Sequence, residues 1–204
     1  MAGTTGCRLL CAAVASTTIM LAAADAGAAD KCVRVLEYEW SPKNTADPAR
    51  VKNMADTMYA GWLYEPLVWL SQSFEPEPYL AESWETDSTG KVWTFHLRKG
   101  VTFHDGSTFD AADVVYTYKR LIDPATASPA QADLSFLEQA KIEAEDASTV
   151  RFELAAPDVE LPTRLASKFA LIVPEGATGE QLATKPVGTG PFKAASVSPD
   201  APRA

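Results

Sequence analysis

Apolar and polar residues alternate along Val92-Trp93-Thr94-Phe95-His96-Leu97, which puts Trp93, Phe95 and Leu97 on one face and predicts a half-buried strand. A second strand-forming run, Trp84 to Asp87, precedes it. The two are joined at Asp87-Ser88-Thr89-Gly90, where Gly90 can take positive φ and Asp87 can bond the turn backbone, so the unit reads as a hairpin. Val101-Thr102-Phe103 follows as a short strand, and His104-Asp105-Gly106-Ser107 turns the chain again. From Ala111 to Leu121 the period changes to helical, with Val114, Tyr118, Leu121 and Ile122 on one face. Asp110 stands at the N-cap, Asp113 is the capping-box acid, and Pro124 stops the helix.

Weaker patterns fill the rest. Val33 to Glu39 reads as a strand, and Pro48 to Ala60 as a helix with Asp47 as N-cap and Pro48 in its first turn. Leu67 to Leu70 reads as a short buried strand, with Pro76 and Pro78 marking a loop into the hairpin. Lys141 to Glu145 and Thr149 to Leu154 form another hairpin around Asp146-Ala147-Ser148. Asp158 to Phe169 is predicted as a helix, Leu171 to Pro174 as a strand, and Trp62, Trp69, Trp84 and Trp93 as core side chains. The elements add up to an α+β chain.

The N-terminus changes the picture of where the chain works. Arg8 gives a short positive region, Leu9 to Ala24 is apolar but rich in Ala, Ser and Thr, and Ala24 to Ala28 offers small residues for a signal peptidase. This predicts a signal peptide over residues 1–28 and an exported, periplasmic protein; a buried N-terminal helix is the alternative. Neither Cys11 nor Cys32 has the setting of a lipid-anchoring cysteine. Cys32 stands alone once the leader is removed, with no motif around His96 or His104 that would make it a nucleophile. The formal net charge is −9, and the basic residues Lys91, Arg98, Lys99, Lys119 and Arg120 read as ordinary turn and helix-end charge. An acidic surface without a basic stripe excludes nucleic acid as a partner.

The residues Leu80 to Glu85 (LAESWE), Thr94 to Arg98 (TFHLR), Gly100-Val101, Phe103 to Gly106 (FHDG) and Ala112-Asp113-Val114 resemble the dipeptide/oligopeptide (family 5) class of extracellular solute-binding proteins, the soluble receptors of ABC importers. Asp47-Pro48 with Tyr64 to Leu67 (YEPL) comes before this block, and Lys185 to Phe192 (KPVGTGPF) after it. The similarity runs from about Val33 to Lys193. It implies a periplasmic binding protein-like clamshell, α+β / α/β in class. Residues 29–63 would open the first lobe, 64–147 would form its accessory subdomain, and 148–204 would return to it. The resemblance also implies that the second lobe lies outside this sequence, as in a premature stop, a frameshift or a clipped gene. The expected partners are a small-molecule or peptide ligand and an ABC permease with its ATPase subunits. A monomer without cofactor or metal is expected.

By the same resemblance, Trp40, Ser41 and Lys43 belong to a loop lining the cleft, where an aromatic face, a hydroxyl and an ammonium could hold an apolar or carboxylate-bearing ligand. A solvated loop with Trp40 packed on the core is the alternative. Phe136 sits where relatives show a cleft aromatic, and a plain core side chain is the alternative. Gly188-Thr189-Gly190 reads as a tight turn, lacking the Lys and helix of a phosphate loop. Two other classes remain open: a secreted hydrolase using Asp110 with Asp113 or Glu143 with Glu145, and a ligand-free structural or chaperone-like chain.

Overall fold

The computed structural model describes residues 45–195 and Val197. In chain order its elements are α1 (Met54–Leu63), β1 (Val68–Leu70), β2 (Pro76–Pro78), β3 (Ala81–Thr86), β4 (Val92–Leu97), α2 (Ala111–Ile122), β5 (Lys141–Asp146), β6 (Thr149–Glu153), α3 (Leu161–Leu165) and α4 (Gly179–Thr184). An antiparallel sheet of order β3-β4-β6-β5 is the largest layer, and β1 pairs with β2 in a separate ribbon. The sheet crosses the expected subdomain boundary at 147/148, since β6 is its third strand.

The first hairpin forms as its pattern predicts. Trp84 pairs with Phe95 and Thr86 with Trp93, and Gly90 takes φ of 68° in the turn. Trp93, Phe95 and Leu97 are buried while their neighbours in sequence are half-buried. Phe152 of β6 meets Phe95 edge-on, at 5.4 Å between centroids, and Tyr118 of α2 meets Phe152 in the same way at 5.5 Å. These contacts lay α2 across the inner face of the sheet. Its N-terminus carries the predicted capping box, in which Asp110 accepts from Ala112 N–H at 2.8 Å and Asp113 accepts from Asp110 N–H at 2.8 Å. Replacing Asp110 by Ala removes one of these acceptors and is expected to cost about 1 kcal/mol, read as a fall in the denaturant midpoint.

The hairpin turn predicts an acid response. Asp87 accepts from the Thr89 hydroxyl and from the backbone N–H groups of Thr89, Lys91 and Val92. The Thr89 hydroxyl first, and the backbone donors after it, hold its carboxyl below the usual carboxylate range. A carboxyl lowered by folding stabilises the native state above its unfolded value of about 3.9 and loses that contribution as pH falls through its lower folded value. The stability difference between wild type and Asp87→Asn should therefore shrink as pH is taken from about 6 to about 2. A difference that stays constant over that range would show that the carboxylate form does not matter.

Several weaker expectations change, and polar side chains cause most of the changes. The helix expected over Pro48–Ala60 is split into a 3-10 turn at Pro48–Arg50 and α1. Val51 is extended, Asn53 becomes a fresh N-cap by accepting from Asp56 N–H at 2.9 Å, and Asp56 turns back to accept from Thr45 and Lys52. Burial pushes the Asp56 carboxyl up. The predicted helix over Asp158–Phe169 shrinks to α3, because Asp158 is held outside it by its backbone bond to the Trp93 indole and a turn at Ser167 ends it.

Leu171 to Pro174 forms only a single bridge, Leu171 to Pro66. Its backbone is satisfied elsewhere: Val173 N–H donates to Thr117 and Glu175 N–H to Asp113, both on α2. Val101 to Phe103 likewise makes one bridge, Thr102 to Thr108. Pro76 to Pro78, expected as loop, pairs with β1 at the edge of the ribbon, where a missing proline N–H is tolerated. The strand expected over Val33–Glu39 lies outside the described residues.

Candidate functional site

The frame of the site is α1 and the segments that clamp it. Gly190 N–H donates to Leu63 O at 2.9 Å and Phe192 N–H to Trp62 O at 3.1 Å, so the Gly188–Phe192 segment caps the C-terminal end of α1. On its other side His104 N–H donates to Gly188 O at 2.9 Å. The His104 ring accepts at Nδ1 from Gly188 N–H and donates from Nε2 to Gly190 O at 2.8 Å. The turn read from the Gly-Thr-Gly pattern is therefore wedged between a helix end and an imidazole, with the backbone too close for any larger residue.

A buried ion pair fixes the start of this frame. Asp47 has no solvent exposure, and its carboxylate meets the Arg120 guanidinium of α2 in a fork of 2.9 and 2.6 Å. Burial works against the charge of Arg120, but Asp47 outweighs it and raises the pKa. Reading Arg120 as ordinary helix-end charge is thus corrected: it is the partner that lets Asp47 sit in the interior. Sequence periodicity carries no sign of a contact across 73 residues.

Between α1, β1 and the stretch after α3 runs an open groove of about 290 Å³, walled by Gly61, Pro66, Trp69, Leu70 and Leu171 and almost wholly apolar. A second hollow of about 440 Å³ continues from it along α1, past Met54 to Val51 and Phe169. Thr57 and Lys168 belong to both. Trp69, expected in the core, is 51% exposed, with its ring 5.9 Å from that of Tyr79; strand alternation turns Val68 inward and Trp69 out. Met54 and Met58 also stand exposed on α1. Trp62 and Trp84 are half-buried, and Trp93 alone of these four is buried.

Phe136 is half-buried and lies beneath the Arg164 guanidinium, 3.6 Å from its ring centroid. Arg164 in turn pairs with Asp158, so the hollow of about 270 Å³ beside Phe136 is lined by a cation already neutralised. Trp40, Ser41 and Lys43 lie outside the described residues. The paired acids have structural tasks. Asp113 spends both carboxylate oxygens on the backbone of Asp110 and Glu175, with burial pushing its pKa up, while Glu143 pairs with Lys141 and Glu145 with Arg151.

Residues 75–201 match the family described as Bacterial extracellular solute-binding proteins, family 5 Middle. The chain belongs to this family. The periplasmic oligopeptide-binding protein OppA of Haemophilus influenzae is 39% identical over 92 residues, 45% of this chain and 17% of its own length. Di/tripeptide-binding protein 1 of Pseudomonas aeruginosa is 35% identical over 139 residues, 56% of this chain and 26% of its own. Among solved structures, the binding protein MoaA of A. tumefacien R10, in complex with mannopinic acid, superposes with a TM-score of 0.70 at 33% identity, covering 76% of this chain and 33% of that one. The chain thus spans about a quarter or less of these two curated relatives and a third of the solved one. The described α+β unit has the fold of the corresponding part of a periplasmic binding protein.

The groove along α1 had no signature in the sequence. Its walls come from residues 57–70 and 166–171, which meet only because Pro66 bridges Leu171 and Ile172 N–H donates to Glu65 O. The exposed Trp69 could have been suspected from strand alternation, since a buried Val68 requires its neighbour to face the other way.

Proposed function

We propose that this protein is the substrate-binding component of an ABC importer, capturing a small solute, foremost a di- or oligopeptide, in the periplasm and delivering it to a membrane permease and its ATPase subunits. The observation that carries the reading is the family match over residues 75–201. The peptide-binding relatives support the peptide class. In this reading the protein is exported, and residues 29–63 and 148–204 belong to one lobe with 64–147 as its accessory subdomain, β6 crossing that boundary to pair with β4 and β5. A second lobe closes over the ligand, and the closed form is what the permease recognises. Trp40, Ser41, Lys43 and Phe136 are proposed to face that ligand. Binding proceeds without bond cleavage. Calorimetric titration with a panel of di- and tripeptides, followed by mass spectrometry of the recovered peptide, tests it. For the protein with both lobes of this reading, saturable heat with the peptide recovered intact is expected; cleaved peptide would point to the hydrolase instead, and no heat with any peptide would remove the peptide class.

A further inference from the structure

We infer that the groove between α1, β1 and the stretch after α3 is a subsite for an amphipathic monocarboxylate, with an apolar side chain lying against Trp69 and Gly61 and the carboxylate held by Lys168. This rests on the solute-binding reading above and adds the ligand's chemistry and its anchor. Three features of the groove point the same way. Its volume of about 290 Å³ is on the order of ten times the ~30 Å³ that one water occupies in the liquid, so it takes a branched aliphatic or small aromatic group. Its walls are apolar, and water there gains few partners. Lys168, exposed at the rim, takes part in none of the ion pairs among the described residues; its Nζ lies 5.0 Å from the centroid of the Phe169 ring.

The anion is singly charged for two reasons. A lone ammonium is a point charge, without the fork that suits a phosphate, and the chain's net charge of −9 repels multiply charged ligands. A peptide C-terminus with an apolar last residue has the required pairing of charge and side chain.

The test is a titration of the 15N-labelled full chain with N-acetyl-L-leucine, N-acetyl-L-leucinamide and acetate, followed by NMR. N-acetyl-L-leucine should shift the Trp69 indole and the amides of Thr57, Gly61 and Lys168, and the uncharged amide should bind up to about fivefold more weakly, the range of an exposed ion pair. Acetate alone should shift only residues near Lys168. Lys168→Met should equalise the two leucine probes, and Gly61→Leu should block both. A Cβ at Gly61 meets nothing within 4 Å, so the helix has room for a side chain to start there, and an unchanged denaturant midpoint for Gly61→Leu checks that the fold is kept. Equal affinity of the two leucine probes for the wild type would overturn the carboxylate anchor. Shifts elsewhere, or concentration-dependent broadening at Trp69 and Gly61 without ligand, would overturn the subsite, the latter because a second copy covers it. If the probes fail while peptides bind in calorimetry, the receptor reading stands and only this assignment falls.

Discussion

Gly188→Ala and Gly190→Ala will each lower the unfolding free energy by at least about 3 kcal/mol, the upper end of what overpacking costs. A Cβ at 188 would lie 2.1 Å from the Leu63 carbonyl oxygen and 2.6 Å from Tyr64 Cδ1. At 190 it would lie 2.6 Å from both Leu63 C and Trp62 O. Apart from Tyr64 Cδ1 these are backbone atoms at the end of α1, so no rotamer change relieves the overlap. The segment must leave the helix end and give up the bonds from Gly190 and Phe192. Gly61 on the same helix is the control: with open space at its Cβ, Gly61→Ala should be neutral or stabilising by up to about 1 kcal/mol through helix propensity. Urea unfolding of the three variants decides it, and unchanged midpoints at 188 and 190 would mean that the clamp on α1 is not as close as described.

Breaking the Asp47–Arg120 pair should be nearly as severe or worse. Asp47→Ala leaves a guanidinium only 10% exposed without its counter-charge, and Arg120→Met leaves a carboxylate with no exposure to the Arg50 guanidinium alone, 3.8 Å away and itself 49% exposed. Removing one partner of such a pair costs about 3–5 kcal/mol, whereas replacing both by apolar residues costs much less. The double variant Asp47→Ala with Arg120→Met is therefore expected to be more stable than either Asp47→Ala or Arg120→Met alone. Arg120→Lys should not restore the wild type, since a point charge cannot reproduce the two-oxygen fork. A double-mutant cycle by chemical denaturation measures the coupling. Strict additivity of the single effects would remove the pair from the account of how the 47–50 turn is tied to α2.

The parts of the fold legible in the sequence are those decided locally. The Trp84–Leu97 hairpin, the capped helix from Ala111 and the hairpin around Ala147 each combine a clear period with turn or cap residues at the required positions. The misread parts are decided by side chains arriving from afar. Val173 and Glu175 satisfy their backbone on Thr117 and Asp113, 56 and 62 residues away, so an apolar run does not become a strand. Asn53 and Asp56 interrupt a helix that periodicity would continue. Thr178 and Gln181 form a capping box for α4, a short helix overlooked because six residues carry too little periodicity.

The candidate site was the least legible part. Phe136 was singled out by resemblance, and the structure places it under Arg164 rather than among the apolar walls of the α1 groove. The residues that line that groove are ordinary in sequence: a helical glycine, a proline, a strand tryptophan and a lysine. Only the pairing of the Glu65–Pro66 backbone with Leu171–Ile172 brings them together.

The central claim, that this chain contributes to capturing a solute on the exposed face of α1, is tested most directly by hydrogen exchange on the protein with and without a saturating di- or tripeptide found by calorimetry. The account predicts slowed exchange concentrated at residues 51–61 and 166–171, with the β3-β4-β6-β5 sheet unchanged. Protection confined to the sheet, or none at the α1 face while the peptide is bound, would contradict it.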